Sequence, residues 1–147
     1  IALVTDAGTP GISDPAGKLV QFVRENLADV KIAPIPGPSA LTAALSVSGI
    51  ATNKFTFLGY PPHKKGRQKF FREMAQIKVR PIVFYESRYR LQKALSAMAE
   101  NFGPDSKIIV ASELTKMFEE VFCNPIREAQ KYFVEKKGKG EFVIIVP

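Results

Sequence analysis

Short apolar runs and amphipathic stretches alternate along the first third of the chain. Residues 1–4 form an apolar run typical of a buried strand, and the spacing of apolar positions predicts a helix over residues 15–27. A second apolar run at 30–35 precedes a helix rich in alanine and leucine over 39–47. Strands that alternate with helices in this way usually pair in parallel. The pattern therefore predicts a doubly wound α/β sheet for this part of the chain.

The pattern changes after Gly49, where a second series of strands and helices begins. The predicted strands cover residues 55–58, 81–85, 107–111, 119–122 and 141–146, and the predicted helices cover residues 66–77, 89–101 and 125–135. We place a domain boundary near residues 51–54. Residues 1–51 are then the C-terminal part of one α/β domain, and residues 52–147 form a nearly complete second α/β domain with a mixed sheet.

The composition limits the possible sites and compartments. The 147 residues include one cysteine, Cys123, and one histidine, His63, so we expect no disulfide within the chain and no metal site. A reducing cytoplasm suits this cysteine content. No apolar run approaches the ~18 residues of a membrane span. Because the chain begins inside an apolar run without methionine, we expect it to be the later part of a larger protein.

Basic residues are concentrated in one segment of a chain whose net charge is +7. Five of the nine residues from Lys64 to Arg72 are basic, and Phe70 and Phe71 lie among them. One interpretation is a solvated amphipathic helix whose phenylalanines face the core. The other is a surface that contacts the phosphates of a nucleic acid. Charge alone leaves both interpretations open.

Two loops rich in glycine and proline follow the first two predicted strands. Residues 6–15 read Asp-Ala-Gly-Thr-Pro-Gly-Ile-Ser-Asp-Pro, and residues 35–40 read Ile-Pro-Gly-Pro-Ser-Ala. The first loop lacks the Gly-Lys-Ser/Thr of a nucleotide-hydrolysing phosphate loop. Each loop connects a strand to a helix, which is the edge of a parallel sheet where ligands bind. The two loops together predict a crevice for a small ligand.

Polar residues also follow two predicted strands of the second domain. Residues 84–87 read Phe-Tyr-Glu-Ser, and residues 112–116 read Ser-Glu-Leu-Thr-Lys. Ordinary helix and turn capping would explain the serines and threonines at these ends. A functional interpretation is equally compatible, because Arg88 and Arg90 follow directly and arginines hold phosphates or carboxylates well.

Five segments occur in an order that resembles a known family. They cover residues 6–15, 35–41, 84–87 and 113–116, and the Lys-Gly-Glu of residues 139–141. With them the chain resembles the tetrapyrrole (corrin/porphyrin) methylase superfamily over essentially all of its length. Within that superfamily it is most similar to the branch that methylates a cytidine ribose 2′-hydroxyl in small-subunit ribosomal RNA. The Glu-Leu-Thr-Lys segment favours this branch over the corrin enzymes.

The resemblance implies a two-domain α/β methylase-like fold with S-adenosylmethionine in the trough between the domains. It implies that the partners are ribosomal RNA or the small ribosomal subunit and a second copy of the chain in a homodimer. It also implies that the first strand of the family fold, and the loop after it, are absent from this chain, so we expect a methyltransferase sequence that is inactive without them. We also expect a cytoplasmic protein without a membrane partner.

The family motifs can be transferred position by position. The cofactor-binding positions that match are Gly8, Thr9, Pro10, Ile12, Ser39, Ala40, Tyr85 and Glu86. The chain departs from the family pattern at Thr9, where corrin enzymes carry an acid, and at Ala16, where glycine is usual. Arg88-Tyr89 replaces a usual Pro-His, and Ser112 replaces a usual arginine. The last two departures put individual RNA contacts in question, although Arg88 offers a substitute.

Methyl transfer from a sulfonium needs alignment more than activation, because the donor is already reactive. A ribose hydroxyl is a weak nucleophile, so a base or hydrogen-bond acceptor should assist it. The catalytic candidates at predicted strand ends are Asp6, Glu86, Glu113 and Lys116. The residues predicted to hold RNA, mainly through its backbone, are Lys64, Lys65, Arg67, Lys69, Arg88 and Arg90.

Two other functions stay open at this point. The first is methylation of a corrin-type macrocycle, whose carboxylates would also suit a basic protein. The second is a folded module that keeps half of a cofactor site and performs no chemistry. Binding of a tetrapyrrole would favour the first. Equally tight binding of S-adenosylmethionine by this chain and by the full-length protein would exclude the second.

Overall fold

The computed structural model describes residues 1–136 and 140–147. Lys139, part of the Lys-Gly-Glu motif, therefore lies outside the described residues. The chain divides into two compact units, Ile1–Ala40 and Leu41–Pro147. This division lies earlier than residues 51–54, and the domain boundary given above stays a prediction. No helix in the described part is long and apolar enough to cross a membrane.

The first unit contains one predicted helix but neither predicted strand. Helix α1 spans Gly17–Asn26, within the predicted range of 15–27. The strand predictions for residues 1–4 and 30–35 are wrong, because no strand precedes Thr56 among the described residues. Their apolar side chains stay exposed, with Val4 at 84% and Ile35 at 81%. A strand exists only through hydrogen bonds to a neighbour, and neither segment pairs with one here.

The second unit forms a five-stranded sheet with helices on both faces. Its elements follow the predicted order, with small differences at their ends. They are α2 (Ala40–Ser46), β1 (Thr56–Phe57), α3 (Arg67–Ala75), β2 (Ile82–Ser87), α4 (Leu91–Phe102), β3 (Lys107–Ser112), β4 (Glu120–Pro125), α5 (Ile126–Glu135) and β5 (Glu141–Val146). Helix α2 begins at the last residue of the first unit.

The sheet is mixed, as predicted for this part of the chain. The strand order is β1-β2-β5-β3-β4, and only β1 and β2 pair in parallel. Strand β5 lies between β2 and β3 and is antiparallel to both. Antiparallel contact also joins β3 to β4, which forms the outer edge. The last strand in sequence is therefore the central strand of the sheet.

Each face of the sheet buries an apolar layer. Because side chains alternate along a strand, Ile82 and Phe84 of β2 face a core shared with α3, α4 and α5, where Phe71 and Leu95 are fully buried. Val83 faces the opposite layer. There Ala44 and Leu45 of α2 cover the central strands. A sheet covered on both faces presents polar groups mainly at its ends.

Polar residues at the ends of four strands lie along one edge of the sheet. Ser87, which ends β2, pairs with Glu141, which begins β5. Ser112, which ends β3, pairs with Glu120 at the start of β4. We call this the Ser87 edge, defined by these four residues. The loops that contain the candidate functional residues of the second predicted domain begin at this edge.

Candidate functional site

The two glycine-proline loops of the first unit contact each other. The Thr9 hydroxyl donates a hydrogen bond of 3.3 Å to the carbonyl oxygen of Pro38. Gly8 and Gly11 adopt φ angles of +75° and +88°, which residues with a Cβ rarely adopt. The first loop is thus a tight turn of exposed backbone held against the second loop. The crevice predicted from the two loops stays a prediction.

Asp14 organises the first loop from within. Its carboxylate accepts hydrogen bonds from the Thr5 hydroxyl and from the Ala16 backbone N–H. These bonds, the Thr5 bond first, lower the pKa of Asp14 below its usual range. The candidates Asp6 and Ile12 are exposed, whereas Thr9, Pro10 and Ser39 are half-buried. The remaining candidates of this unit, Gly8 and Ala40, are exposed.

Glu86 is a fully buried carboxylate held between two arginines. Its Oε2 lies 2.7 Å from Arg67 Nη2, and its Oε1 lies 2.9 Å from Arg90 Nε. Oε1 also accepts a hydrogen bond of 2.9 Å from the Ser87 backbone N–H. Both oxygens are therefore occupied by protein donors. In this arrangement Glu86 links the end of β2 to Arg67 of α3 and to Arg90, and it has no oxygen exposed to a substrate.

The same ion pairs divide the residues predicted to bind RNA into two groups. The Arg67 and Arg90 side chains are only 13% and 15% exposed, and each also donates to a carbonyl oxygen of the loop at Pro61–Pro62. Lys64, Lys65 and Lys69 remain exposed. Phe71 and Phe70 of this segment pack in the core, as the interpretation of an amphipathic helix predicts, while Lys69 and Arg72 beside them face solvent. Contact of the exposed basic residues with RNA stays a prediction.

Tyr60 and Glu141 form a hydrogen-bonded pair that the sequence alone does not indicate. The Tyr60 hydroxyl donates a hydrogen bond of 2.5 Å to Glu141 Oε2. Its ring lies 5.3 Å from the ring of Tyr85, a predicted cofactor contact. Burial, followed by the hydrogen bond to Glu141, raises the pKa of Tyr60 well above its ordinary value. Burial also raises the pKa of Tyr85.

We expect Tyr60 to ionise later than an ordinary tyrosine, whose pKa is about 10. The unfolded chain then loses this proton first, so the stabilising contribution is present below pH ~10. It is lost as the pH rises through the higher pKa of the folded chain. Titration of phenolate absorbance on the four tyrosines should show late ionisation of Tyr60 and Tyr85, and Tyr60→Phe should remove one of these two late components.

Glu141→Gln supplies the control for this titration. It keeps an oxygen acceptor but removes the charge, so the late component of Tyr60 should move toward lower pH without disappearing. If Tyr60→Phe leaves both late components unchanged, the pair does not exist in solution.

Glu113 and Lys116 lie in the loop after β3. Lys116 Nζ lies 3.2 Å from Glu113 Oε1, and the Glu113 side chain is 20% exposed. A Cβ on Gly140 would lie only 2.6 Å from that same oxygen, so glycine leaves the space that the Glu113 carboxylate occupies. Unlike Glu86, Glu113 keeps part of its carboxylate open to solvent. Both residues stay predicted catalytic groups.

Arg88 and Tyr89 project from the segment between β2 and α4. The Arg88 guanidinium carbon lies 4.5 Å from the centre of the Tyr89 ring, and Tyr89 is 78% exposed. No carboxylate partner of Arg88 is found within residues 1–136 and 140–147. Of the arginines predicted to bind RNA, Arg88 is the one whose side chain faces solvent.

Within the second unit, the Ser87 edge brings together Tyr85, Glu86, Glu113 and Lys116. The lysines of the basic segment lie apart, before and on α3. Neither ion pair of Glu86 had a sign in the sequence. Glu86 lies on strand β2 rather than on a helix with Arg90, and Arg67 is far from it in sequence. In the sequence, Tyr60 stands out only because it belongs to the Gly-Tyr-Pro-Pro segment of residues 59–62, which ends a predicted strand.

The sequence profile of the tetrapyrrole (corrin/porphyrin) methylases matches residues 1–130. A ribosomal RNA small subunit methyltransferase I from Xylella fastidiosa is 44% identical over 99% of this chain and 54% of its own length. The protein of the same name from Synechocystis is 42% identical over 99% of this chain and 52% of its length. The chain thus spans about half the length of these curated relatives.

Solved structures agree on the fold. The methyltransferase CobJ superposes with a TM-score of 0.69 at 21% identity, covering 95% of this chain and 61% of its own. Diphthine synthase superposes with a TM-score of 0.66 at 15% identity, covering 95% of this chain and 56% of its own. At these identities the structures establish the α/β fold alone. Together with the sequence profile and the two relatives, they lead to one conclusion: the chain belongs to the tetrapyrrole (corrin/porphyrin) methylase family of S-adenosylmethionine-dependent methyltransferases.

Proposed function

We propose that this chain takes part in the S-adenosylmethionine-dependent methylation of a ribose 2′-hydroxyl, most specifically of a cytidine, in small-subunit ribosomal RNA. The observation that carries the proposal is identity of 44% and 42%, over 99% of the chain, to two proteins named ribosomal RNA small subunit methyltransferase I. The exposed lysines of the basic segment support an RNA substrate. A second copy of the chain, in a homodimer, remains a predicted partner.

The first unit has features that suit a nucleoside cofactor. The turn at Gly8 and Gly11 presents backbone without side chains, and Thr9 fixes that turn to the second loop. A Cβ at Gly8 would meet the Pro38 carbonyl oxygen at 3.9 Å, and one at Gly11 would meet nothing within 4 Å. Glycine is therefore required at these two positions for their positive φ angles, and not because neighbouring atoms would crowd a Cβ. When bound, S-adenosylmethionine would supply an activated methyl group.

The chain's own contribution to the reaction is alignment and proton acceptance. Glu86 is fully engaged by its arginines, so a role as a base would need this ion-pair cluster to open. Glu113 has solvent access and a lysine 3.2 Å away. A carboxylate in this position suits a hydrogen bond from a ribose hydroxyl. Asp6, exposed in the first unit, is the other carboxylate candidate.

Methyl transfer to the small subunit tests this proposal. A form of the chain extended at its N-terminus to the length of its curated relatives is incubated with small ribosomal subunits and S-adenosylmethionine labelled in the methyl group. We expect label in the RNA at one nucleotide whose 3′ phosphodiester resists alkali, because a 2′-O-methyl group cannot attack the phosphate. A carboxylated tetrapyrrole offered under the same conditions should stay unlabelled.

Two results would contradict the proposal. Label in the tetrapyrrole but not in RNA would favour macrocycle methylation. Calorimetric binding of S-adenosylmethionine without transfer to either acceptor would favour a module that performs no chemistry.

A further inference from the structure

A cavity of about 360 Å³ lies in the second unit between the start of α4, the end of α5 and strand β5. Its floor is apolar and buried, formed by Leu91, Phe133 and Phe142. Its rim is exposed and carries Arg88, Tyr89 and Lys136. No residue of this cavity except Arg88 was assigned a function from the sequence. The volume lies in the range of ordinary small-ligand pockets.

The rim combines a cation with an open aromatic surface. Arg88 has no carboxylate partner in the described part of the chain, and its guanidinium covers one side of the Tyr89 ring. The ring is nevertheless 78% exposed, so much of its surface can accept another planar group. Lys136 adds a second charge, although Glu120 already binds its ammonium group at 2.7 Å. Arg88 Nη2 donates a hydrogen bond to the Tyr89 hydroxyl, but no carboxylate in the described residues neutralises the charge of Arg88.

These features match one ligand chemistry. An exposed ring beside a guanidinium that no carboxylate neutralises is an arrangement that can stack an unpaired nucleobase and bind its phosphate. A fully paired RNA helix buries its bases and would not use the ring. An acidic peptide would use the cation but would leave the aromatic surface without a specific role.

We propose that this cavity binds a single unpaired nucleotide of the RNA substrate, with the base stacked on Tyr89 and a phosphate on Arg88. The proposal rests on the proposed function, because it takes RNA as the substrate. It assigns to this cavity a role separate from the exposed lysines around α3. Those lysines would contact the RNA backbone without regard to pairing, whereas the cavity would select an unpaired nucleotide.

Fluorescence anisotropy with a labelled single-stranded RNA hexamer tests the proposal on the full chain. We expect Tyr89→Ala to weaken binding by roughly tenfold, the effect of losing one stacked base. Tyr89→Phe should keep most of the binding, because the ring remains and only the hydroxyl that accepts a hydrogen bond from Arg88 is lost. Arg88→Ala should weaken binding and lower the slope of log K against log salt by about 0.7, the value for one phosphate contact on a single strand.

Lys93→Ala is the matched control for charge, because Lys93 is exposed on α4 but does not line the cavity. It should change binding far less than Arg88→Ala. An abasic hexamer should bind the unaltered chain and Tyr89→Ala equally, which would support stacking directly. Circular dichroism of each variant should show the unaltered fold, since Tyr89 and Arg88 are exposed.

The result that would overturn the proposal is equal hexamer binding by Tyr89→Ala, Lys93→Ala and the unaltered chain. Binding of an acidic peptide in the cavity, with RNA binding unaffected by Tyr89→Ala, would also overturn it.

The methyl-transfer assay separates the two proposals. A chain that methylates the small subunit but binds RNA independently of Tyr89 disproves the nucleotide site alone. Tyr89-dependent RNA binding without methyl transfer disproves the proposed reaction alone.

Discussion

Replacing Arg67 by alanine is expected to lower the free energy of unfolding of the second unit by about 3 kcal/mol. Glu86 is fully buried, and Arg67 Nη2 lies 2.7 Å from its Oε2. Removing one partner of a buried ion pair leaves an uncompensated charge, which typically costs ~3–5 kcal/mol. The lower end applies here because Arg90 still contacts the other carboxylate oxygen. Urea denaturation followed by circular dichroism measures the change.

Lys69→Ala is the matched control for this measurement. Lys69 belongs to the same helix and lies 3.5 Å from Glu73, but both side chains are more than half exposed. Such pairs contribute about 0.3–0.5 kcal/mol. Combining Arg67→Ala with Glu86→Gln should recover part of the loss, since the buried charge is then gone. Equal effects of Arg67→Ala and Lys69→Ala would show that the buried ion pair does not form.

Replacing the exposed basic residues around α3 together is expected to give the largest loss of RNA affinity. These residues are Lys64, Lys65, Lys69 and Arg72. Each phosphate contact on a single strand adds about 0.7 to the slope of log K against log salt, so four contacts give about 2.8. At 100 mM salt the loss of affinity should be on the order of a hundredfold. Anisotropy titrations across a salt series measure both quantities.

A variant with the same change in net charge controls for nonspecific attraction. It replaces four exposed lysines from other parts of the chain, namely Lys18, Lys31, Lys93 and Lys107. Its salt slope should stay close to that of the unaltered chain. If both variants lose affinity and slope equally, net charge rather than a defined surface holds the RNA. Stability should change little in either case, because these side chains are exposed.

The local sequence pattern predicted an element correctly where the same pattern also reflected which of its residues are buried. The predicted strand over residues 141–146 coincides with β5, Glu141–Val146, whose last five residues are all buried. Helix α4 was predicted within two residues at its start and one at its end. In both cases the apolar positions that the pattern counts are the ones that contact the core. Local periodicity and tertiary burial then give the same answer.

Residues 1–4 and 30–35 show where local pattern fails. Their apolar runs are typical of buried strands, yet a strand also needs a partner that the run itself cannot specify. Arg67 shows a second kind of failure. Its neighbours are exposed lysines, so charge density placed it on an RNA surface. Its contact with a buried carboxylate nineteen residues away depends on the fold rather than on the local pattern.

The central position of β5 has a consequence for how the second unit assembles during synthesis. Strands β2 and β3 do not pair with each other and are joined only through β5. Until residues 141–146 have been made, β2 and the β3–β4 pair each expose an unpaired edge lined by apolar side chains. Such edges favour intermolecular association, and contacts between distant parts of a chain form slowly. The nascent chain must therefore protect two separate partial sheets, and the strand that unites them is the last of the five to be synthesised.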